Sequence, residues 1–250
     1  MHILYPSFYP EGLPVLVTDE QARTIDCGDL PTRAVNEAVR AAIAGGAARV
    51  RLLNPGARHN LGVALSEGAN LAVEGSAGYY VAGLNDGATV LVRGSVGWGA
   101  AESMRDGTVV IDGDAGNAAA ASIRAGTVVV RGNASTRAGI AMKGGALVVG
   151  GGVGPGAGFM MQKGVLVVCG DAAEGVADSM YAGTVYVGGR TGEFGSDAVE
   201  AEFTADDHAL VYGLLACWDV PAPPSFRKIV AGRRLWNFTR ADLETWKAAL

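Results

Sequence analysis

The sequence is poor in the residues that form metal sites, disulfide frameworks and many catalytic centres. Its three cysteines, Cys27, Cys169 and Cys217, lie far apart and form no CxxC pair, so neither a disulfide framework nor a thiolate metal site is expected. The three histidines are equally scattered, and no HxH or HExxH spacing indicates zinc or iron. His59, in the turn "PGARHNLG", is the one histidine that merits a test. We therefore expect no metal, and a reducing cytoplasm fits this cysteine usage best.

Charge and long apolar runs are also scarce. Charged residues make up 18% of the chain and the net charge is −5, which excludes the basic footprint of a nucleic-acid-binding protein. No window holds about 18 uninterrupted apolar residues, and "MHILYPSFYPEGLP" lacks the basic-then-apolar order of a signal peptide, so neither a membrane span nor export is expected. Because 49% of the residues are hydrophobic, we expect part of the apolar surface to contact another protein.

Glycine, by contrast, is abundant and recurs at a fixed period. Seven units align, from "LSEGANLAVEGSAG" at Leu65 and "LNDGATVLVRGSVG" at Leu84 to "MYAGTVYVGGRTG" at Met180, and their first residues are 19, 20, 19, 19, 19 and 19 positions apart. In each unit two glycines bound a short β-branched run, which indicates a strand. Stacked in register, these strands form a column roughly 29 Å tall. The sequence predicts an all-β solenoid, a right-handed parallel β-helix of about seven 19-residue coils.

The glycines after each strand are predicted to form the corners of the coils, through positive φ angles or close backbone approach. The stretch "GGGVGPGAG" at 150–158 is interpreted as such a corner rather than a phosphate loop, because Pro155 interrupts it and no helix clearly follows. The predicted corner glycines are Gly75, Gly78, Gly94, Gly97, Gly113, Gly116, Gly132, Gly151, Gly154, Gly170, Gly189 and Gly192.

The alternation within each strand separates an inner from an outer face. Two columns are predicted to point inward, one from Leu71 to Val185 and one from Val73 to Val187. The column between them faces outward but is apolar, so either the chain's own tail or a partner subunit must cover it. Its candidate interface residues are Leu91, Val110, Val129, Val148, Val167 and Tyr186.

A second outward column carries charges of both signs. It consists of Glu74, Arg93, Asp112, Arg131, Gly150, Cys169 and Gly188. A polysaccharide-cleaving β-helix would need a row of acids and bases on one face. Alternating charges one coil apart are interpreted instead as a surface ladder of salt bridges.

The segments on either side of the repeats are predicted to cap the solenoid. Residues 1–64 form the N-terminal segment and entry cap, 65–192 the repeats and 193–250 the C-terminal tail. In the entry cap, "RTIDCG" and "ARVRLLN" indicate strands on either side of a helix, with Asp29 as its N-cap and Gly45 among its stop signals.

In the tail, "FRKIVAGRRLWNF" indicates a strand or hairpin and "TRADLETWKAAL" a terminal helix. Trp218, Trp236 and Trp246 are expected to pack this tail onto the solenoid.

The corner sequences "GSAGYYVAG", "GSVGWGAAES" and "GDAGNAAAAS" resemble the GXGXG domain at the C-terminus of the glutamate synthase large subunit. The resemblance covers about residues 25–192, and it implies a β-helical fold and no catalytic residue in this chain. The sequence departs from the pattern at Ser135 and Ala173, where the second corner glycine is replaced, so nothing functional is carried over to these two positions.

Freestanding relatives of that domain are subunits of larger enzymes, and the resemblance implies the same here. The chain is similar to the structural subunit of glutamate-synthase-type complexes such as N-methylglutamate synthase. The implied partners are a glutaminase-type amidotransferase subunit and a synthase subunit that carries FMN and an iron–sulfur cluster, with no cofactor in this chain. The alternative is the corresponding β-helical subunit of a formylmethanofuran dehydrogenase or of a formyltransferase/hydrolase complex. An independent β-helix hydrolase or lyase remains a third class.

Overall fold

The computed structural model describes residues 22–232, which form eleven strands and two helices. In chain order these are β1 (Ala22–Asp26), α1 (Thr32–Ala44), β2 (Arg49–Leu53), β3 (Asn70–Val73), β4 (Asp86–Val92), β5 (Asp106–Ile111), β6 (Thr127–Val130), β7 (Lys143–Val149), β8 (Lys163–Val168), β9 (Thr184–Val187), β10 (Ala198–Ala201), α2 (Ala205–Cys217) and β11 (Arg227–Ala231). One sheet holds all eleven strands, in the order β1 to β9, then β11 and β10. The first nine strands are parallel, so the predicted β-solenoid is confirmed.

The seven repeat strands stack in the predicted register. Leu71 pairs with Val90, and the same column continues one coil at a time to Val185. Both inward columns are fully buried, and they form one core cluster along the length of the solenoid. Because each strand contributes only two inward side chains, this core depends on stacking rather than on any single coil.

The second unit begins at Asn85 and not at Leu84, which corrects the predicted alignment. The core column just before each repeat strand runs Leu65, Asn85, Met104 and Ile123, with Asn85 fully buried, whereas Leu84 is 46% exposed and has φ +57°. The Asn85 side chain donates to the Ala88 carbonyl at 2.8 Å and accepts from the Ala88 N–H at 3.2 Å. These two bonds satisfy the amide inside an apolar core.

The entry segment adds two strands and a helix to the first coil. The helix begins at Thr32, with Pro31 at the N-cap position and no side-chain cap, so the prediction of Asp29 as N-cap is wrong. Pro31 replaces it because the proline ring fixes an extended φ just before a helix start. Gly45 ends the helix as predicted. Asn36 donates to the Asn60 carbonyl and accepts from the Gly62 N–H, which caps backbone groups of the first coil.

Each coil returns to its next strand through a segment with an unusual backbone. Residues at alternate positions have positive φ, as at Ala118 (+60°), Ala120 (+58°) and Ser122 (+57°). The outer surface of six such segments, residues 79–84, 98–103, 117–122, 136–141, 155–160 and 174–179, is called the return face below.

The C-terminal part of the described chain caps the last coil and then folds back. Strand β11 pairs antiparallel with β9, and β10 pairs antiparallel with β11. The strand predicted in "FRKIVAGRRLWNF" is confirmed at Arg227–Ala231. The helix predicted in "TRADLETWKAAL", together with Trp236 and Trp246, lies outside the described residues.

Candidate functional site

The chain's own tail lies over the apolar outward column. Helix α2 packs its Val211, Leu214 and Leu215 against this column, together with Trp218, Val220 and Phe226 from the residues that follow. The column side chains from Val110 to Tyr186 are all buried in that cluster, and Leu91 packs at its margin and is partly buried. The 13 residues of α2 span ~20 Å, which matches the ~19 Å from the third to the seventh repeat strand.

This packing corrects the candidate interface. Val110, Val129, Val148, Val167 and Tyr186 are covered by the tail, one of the two alternatives drawn from the sequence, and are not a surface open to a partner. The tail covers these residues because a row of valines exposed along five coils would leave a large apolar area in contact with water. Trp218, predicted to pack the tail onto the solenoid, is buried in the same cluster.

A buried polar cluster fixes the start of α2 to the last repeat strand. The Tyr186 hydroxyl donates to Asp207 Oδ1 at 2.5 Å, and Lys228 Nζ donates to Asp207 Oδ2 at 2.8 Å. Thr204 is the N-cap, and its backbone N–H also donates to Asp207, completing a capping box. Burial by itself raises the pKa of Asp207, but the hydrogen bonds from Lys228, Tyr186 and Thr204 outweigh it and lower that pKa to about 2. Asp207 is therefore a stable buried anion that anchors the helix.

The predicted salt bridges between coils are confirmed in the N-terminal half of this column. Arg93 and Arg131 both bind Asp112, each at 3.1 Å, and Arg51 binds Glu74 at 3.1 Å. Because each of these carboxylates is paired with an arginine from an adjacent coil, this column is structural rather than a row of free acids and bases.

The same column loses its charges where the tail crosses it. Gly150 lies under Val220, and Gly188 lies under Pro223. Cys169 is in the buried cluster, and the Arg131 guanidinium donates to the Asp219 carbonyl at the edge of the tail. Sequence reasoning missed helix α2, yet the change from charged to small residues in this column was a readable signal that something packs there.

Two of the three cysteines sit in apolar surroundings that keep them as thiols. Burial raises the pKa of Cys169 to about 11. Burial also raises the pKa of Cys27, although Arg58 opposes it. Neither side chain has the lowered pKa of a reactive nucleophile.

The corner glycines are required by close approach between coils. At all twelve predicted positions, a Cβ would lie 3.0 Å or less from an atom of the preceding coil. At Gly170 that Cβ would meet the Gly151 carbonyl carbon at 2.7 Å, and at Gly154 the Thr136 nitrogen at 2.8 Å. Among the twelve, only Gly75 has a left-handed φ, +140°. The corners that carry the resemblance are thus places where consecutive coils come too close for a side chain.

Polar residues at these corners join the coils through the backbone. The Ser95 N–H donates to Ser76 Oγ, and the Asp114 N–H donates to Ser95 Oγ, both at 3.1 Å. The Asn133 N–H donates to Asp114 Oδ1 at 2.7 Å, and the Gly152 N–H donates to Asn133 Oδ1 at 2.9 Å. The mixture of Ser, Asp and Asn at the corners is explained by this shared acceptor role.

His59 belongs to an aromatic stack on the next corner. Its ring lies 4.4 Å from Tyr79, and Tyr79 lies 5.2 Å from Trp98, with 16° between the planes in both pairs. His59 Nδ1 accepts a hydrogen bond from the Tyr79 N–H at 2.8 Å. Tyr79 is the middle ring, covered on both faces, and Trp98 at the end of the stack is 56% exposed.

Neither a metal centre nor a membrane-spanning helix occurs among residues 22–232. No cluster of three or more His, Cys, Asp or Glu side chains in that range is placed to hold a metal ion. Neither of its two helices is long and apolar enough to cross a membrane. Comparison of the chain with protein-family models and with curated proteins found no match.

Proposed function

We propose that this chain is a noncatalytic structural subunit of a glutamate-synthase-type complex, N-methylglutamate synthase, in the cytoplasm. It would hold a glutaminase-type amidotransferase subunit and an FMN- and iron–sulfur-containing synthase subunit at a fixed separation. In that chemistry the amidotransferase releases an amino group from an amide and the flavoprotein uses it. The flavin and the cluster belong to the partner, and this chain supplies rigidity.

The observation that carries the proposal is the repeated glycine corner. The GxxG spacing on which the resemblance rests coincides with backbone contacts between coils, at Gly94 and Gly97 for example, so the motif has a structural explanation that needs no ligand. The paired carboxylates of the salt-bridge ladder weigh against hydrolysis on that face. A stiff column of seven coils with both ends capped is suited to separating two other proteins.

The test is the composition of the native complex. The full chain, affinity-tagged and purified from the cells that make it, is expected to bring down an amidotransferase subunit and a subunit with the visible absorbance of a bound flavin. Recovery of the chain alone under several salt conditions would contradict the proposal. Recovery with amidohydrolase-type and formyltransferase-type subunits would identify the alternative, a subunit of a formyl-group-processing complex. Activity of the purified chain on a polysaccharide would refute both scaffold roles.

A further inference from the structure

The return face of the described chain carries few charges and is not covered by the tail. One column of this face, the fifth residue of each segment, runs Glu102, Ala121, Ile140, Phe159 and Asp178, as the carbonyl hydrogen bonds between successive coils show. Exposed large apolar side chains also concentrate here: Tyr79, Leu84, Trp98 and Met160 lie on this face, and only Leu30 and Val199 are elsewhere among residues 22–232. Such a concentration is typical of a protein-interaction surface.

The size of the return face limits what can bind there. Six segments cover five steps, ~24 Å along the solenoid, and six residues span at most ~20 Å across it. Docking would bury about 1,000 Å² on both partners together, which is the lower limit for a specific interface. A second copy held by this patch alone would form a marginal dimer, whereas a partner that also contacts other subunits needs no larger area here.

The charges on the face disfavour a second copy. Glu102 and Asp178 lie in one column, two coils to either side of Ile140, and both are half-buried; Asp178 Oδ1 also accepts hydrogen bonds from Ser179 Oγ and the Ser196 N–H. Arg137 lies exposed in the central coil between them, and Glu174 is exposed in the same segment as Asp178. In a symmetric dimer the twofold axis lies in the interface. If the axis runs parallel to the solenoid along this column, Glu102 lies opposite Glu102 of the copy. If the axis runs perpendicular to the solenoid through Ile140, Glu102 lies opposite the copy's Asp178. Like charges face each other in both arrangements, which costs affinity.

We propose that the return face binds a non-identical subunit through a flat apolar strip. That strip carries an acidic group that pairs with Arg137, and basic groups ~10 Å to either side of the centre pair with Glu102 and Asp178. The inference rests on the proposed scaffold function and deepens it. Because the tail already covers the apolar column on the strand side, that column is closed to both partners, and one of them binds the return face, where Met160 is exposed.

The first experiment measures assembly with variants of the full chain. Met160→Asp and Arg137→Glu are each expected to reduce recovery of one partner subunit at least tenfold, with unchanged melting of the chain itself. Both positions have positive φ, +52° and +59°, and aspartate tolerates that region well. Val199→Asp is the matched control, since Val199 is 39% exposed and Met160 36%, and it should leave recovery unchanged.

The second experiment identifies the occupant by thiol labelling. Met160→Cys in the purified full chain should react readily with a maleimide, and in the native complex at least tenfold more slowly. If the cysteine is already protected in the monomeric chain, the chain's own terminal segments cover the face. If the chain sediments as a dimer that Met160→Asp dissociates, a second copy covers it. Either result overturns the proposal. A native complex that tolerates Met160→Asp and Arg137→Glu also overturns it while leaving the scaffold role intact. Failure of the wild-type chain to bind any partner refutes both.

Discussion

Replacing Asp207 by asparagine tests whether a single buried carboxylate holds the tail on the solenoid. The substitution keeps the size of the side chain but removes the charge that Lys228 and Tyr186 bind. We expect Asp207→Asn to weaken the docking of α2, because Lys228 would then be left largely buried without a counter-charge. Asp206, exposed in the same first helical turn, provides the matched control: Asp206→Asn changes the helix dipole interaction but no buried contact.

The magnitude follows from the pKa of the carboxyl. Lowering it from the ordinary 3.8 to about 2 in the folded chain corresponds to about 2 kcal/mol of stability. Because the folded pKa is the lower one, this stability is fully present above about pH 4 and is lost as the pH falls towards about 2. Protonated Asp207 then resembles asparagine. The difference between wild type and Asp207→Asn should therefore be about 2 kcal/mol at pH 7 and about 0.4 kcal/mol at pH 2, where half of the folded carboxyls are still ionised, and it approaches zero only below that pH.

Urea unfolding at a series of pH values measures this difference. With Trp98, Trp236 and Trp246 replaced by phenylalanine in every variant, the fluorescence of Trp218, which is buried under the tail, reports helix docking. The circular dichroism of the sheet reports the solenoid. Asp206→Asn should cost less than about 0.5 kcal/mol at every pH. A variant of Asp207 that is as stable as wild type at pH 7, or a difference that persists unchanged at pH 2, would refute the anchoring role of the carboxylate.

Three further substitutions test the core, the corners and the covered column. Gly170→Ala should lower the free energy of unfolding by about 2 kcal/mol through backbone contact, whereas Gly45→Ala should change it by less than about 1 kcal/mol; equal shifts in urea midpoint would contradict the close-approach explanation. Asn85→Leu should lower the free energy of unfolding by about 2 kcal/mol, because it leaves buried backbone groups unpaired. Calorimetry should show a larger loss for this variant than for Met142→Leu in the same column. Val148→Glu should release the tail, seen as rapid amide exchange in α2, and protection equal to wild type would argue against the packing.

The repeat architecture was predictable because the glycine spacing and the strand alternation both follow from the geometry of stacking. Val90 and Val92 point inward and Leu91 outward, as the alternation indicates. The choice between Leu84 and Asn85 could not be made in this way. A hydrophobic alignment selects the leucine, but Asn85 is buried because its amide pairs with the backbone of a residue three positions later, a compensation that only the folded geometry reveals.

Helix α2 was harder to predict because its sequence has no clear polar face. In "ADDHALVYGLLAC" apolar residues surround the helix, so the usual stripe that marks a surface helix is absent. The capping box of Thr204 and Asp207 was a local signal for its start. The position of α2 on the solenoid depends on Tyr186, which follows the valines of the outward column and donates a hydrogen bond from its hydroxyl to Asp207. Pairing of residues this distant in sequence lies beyond pattern reasoning on one chain.

The tail also restricts how the number of coils can change. It is attached at two levels, at Tyr186 through Asp207 and at Arg131 through the Asp219 carbonyl. Inserting or deleting one 19-residue unit between these levels would shift them by ~4.8 Å, nearly a full turn of α2, and would break one attachment. Duplication of a unit before residue 104 leaves both attachments in place. Changes in solenoid length through repeat gain or loss should therefore be tolerated at the N-terminal coils and selected against beneath the helix.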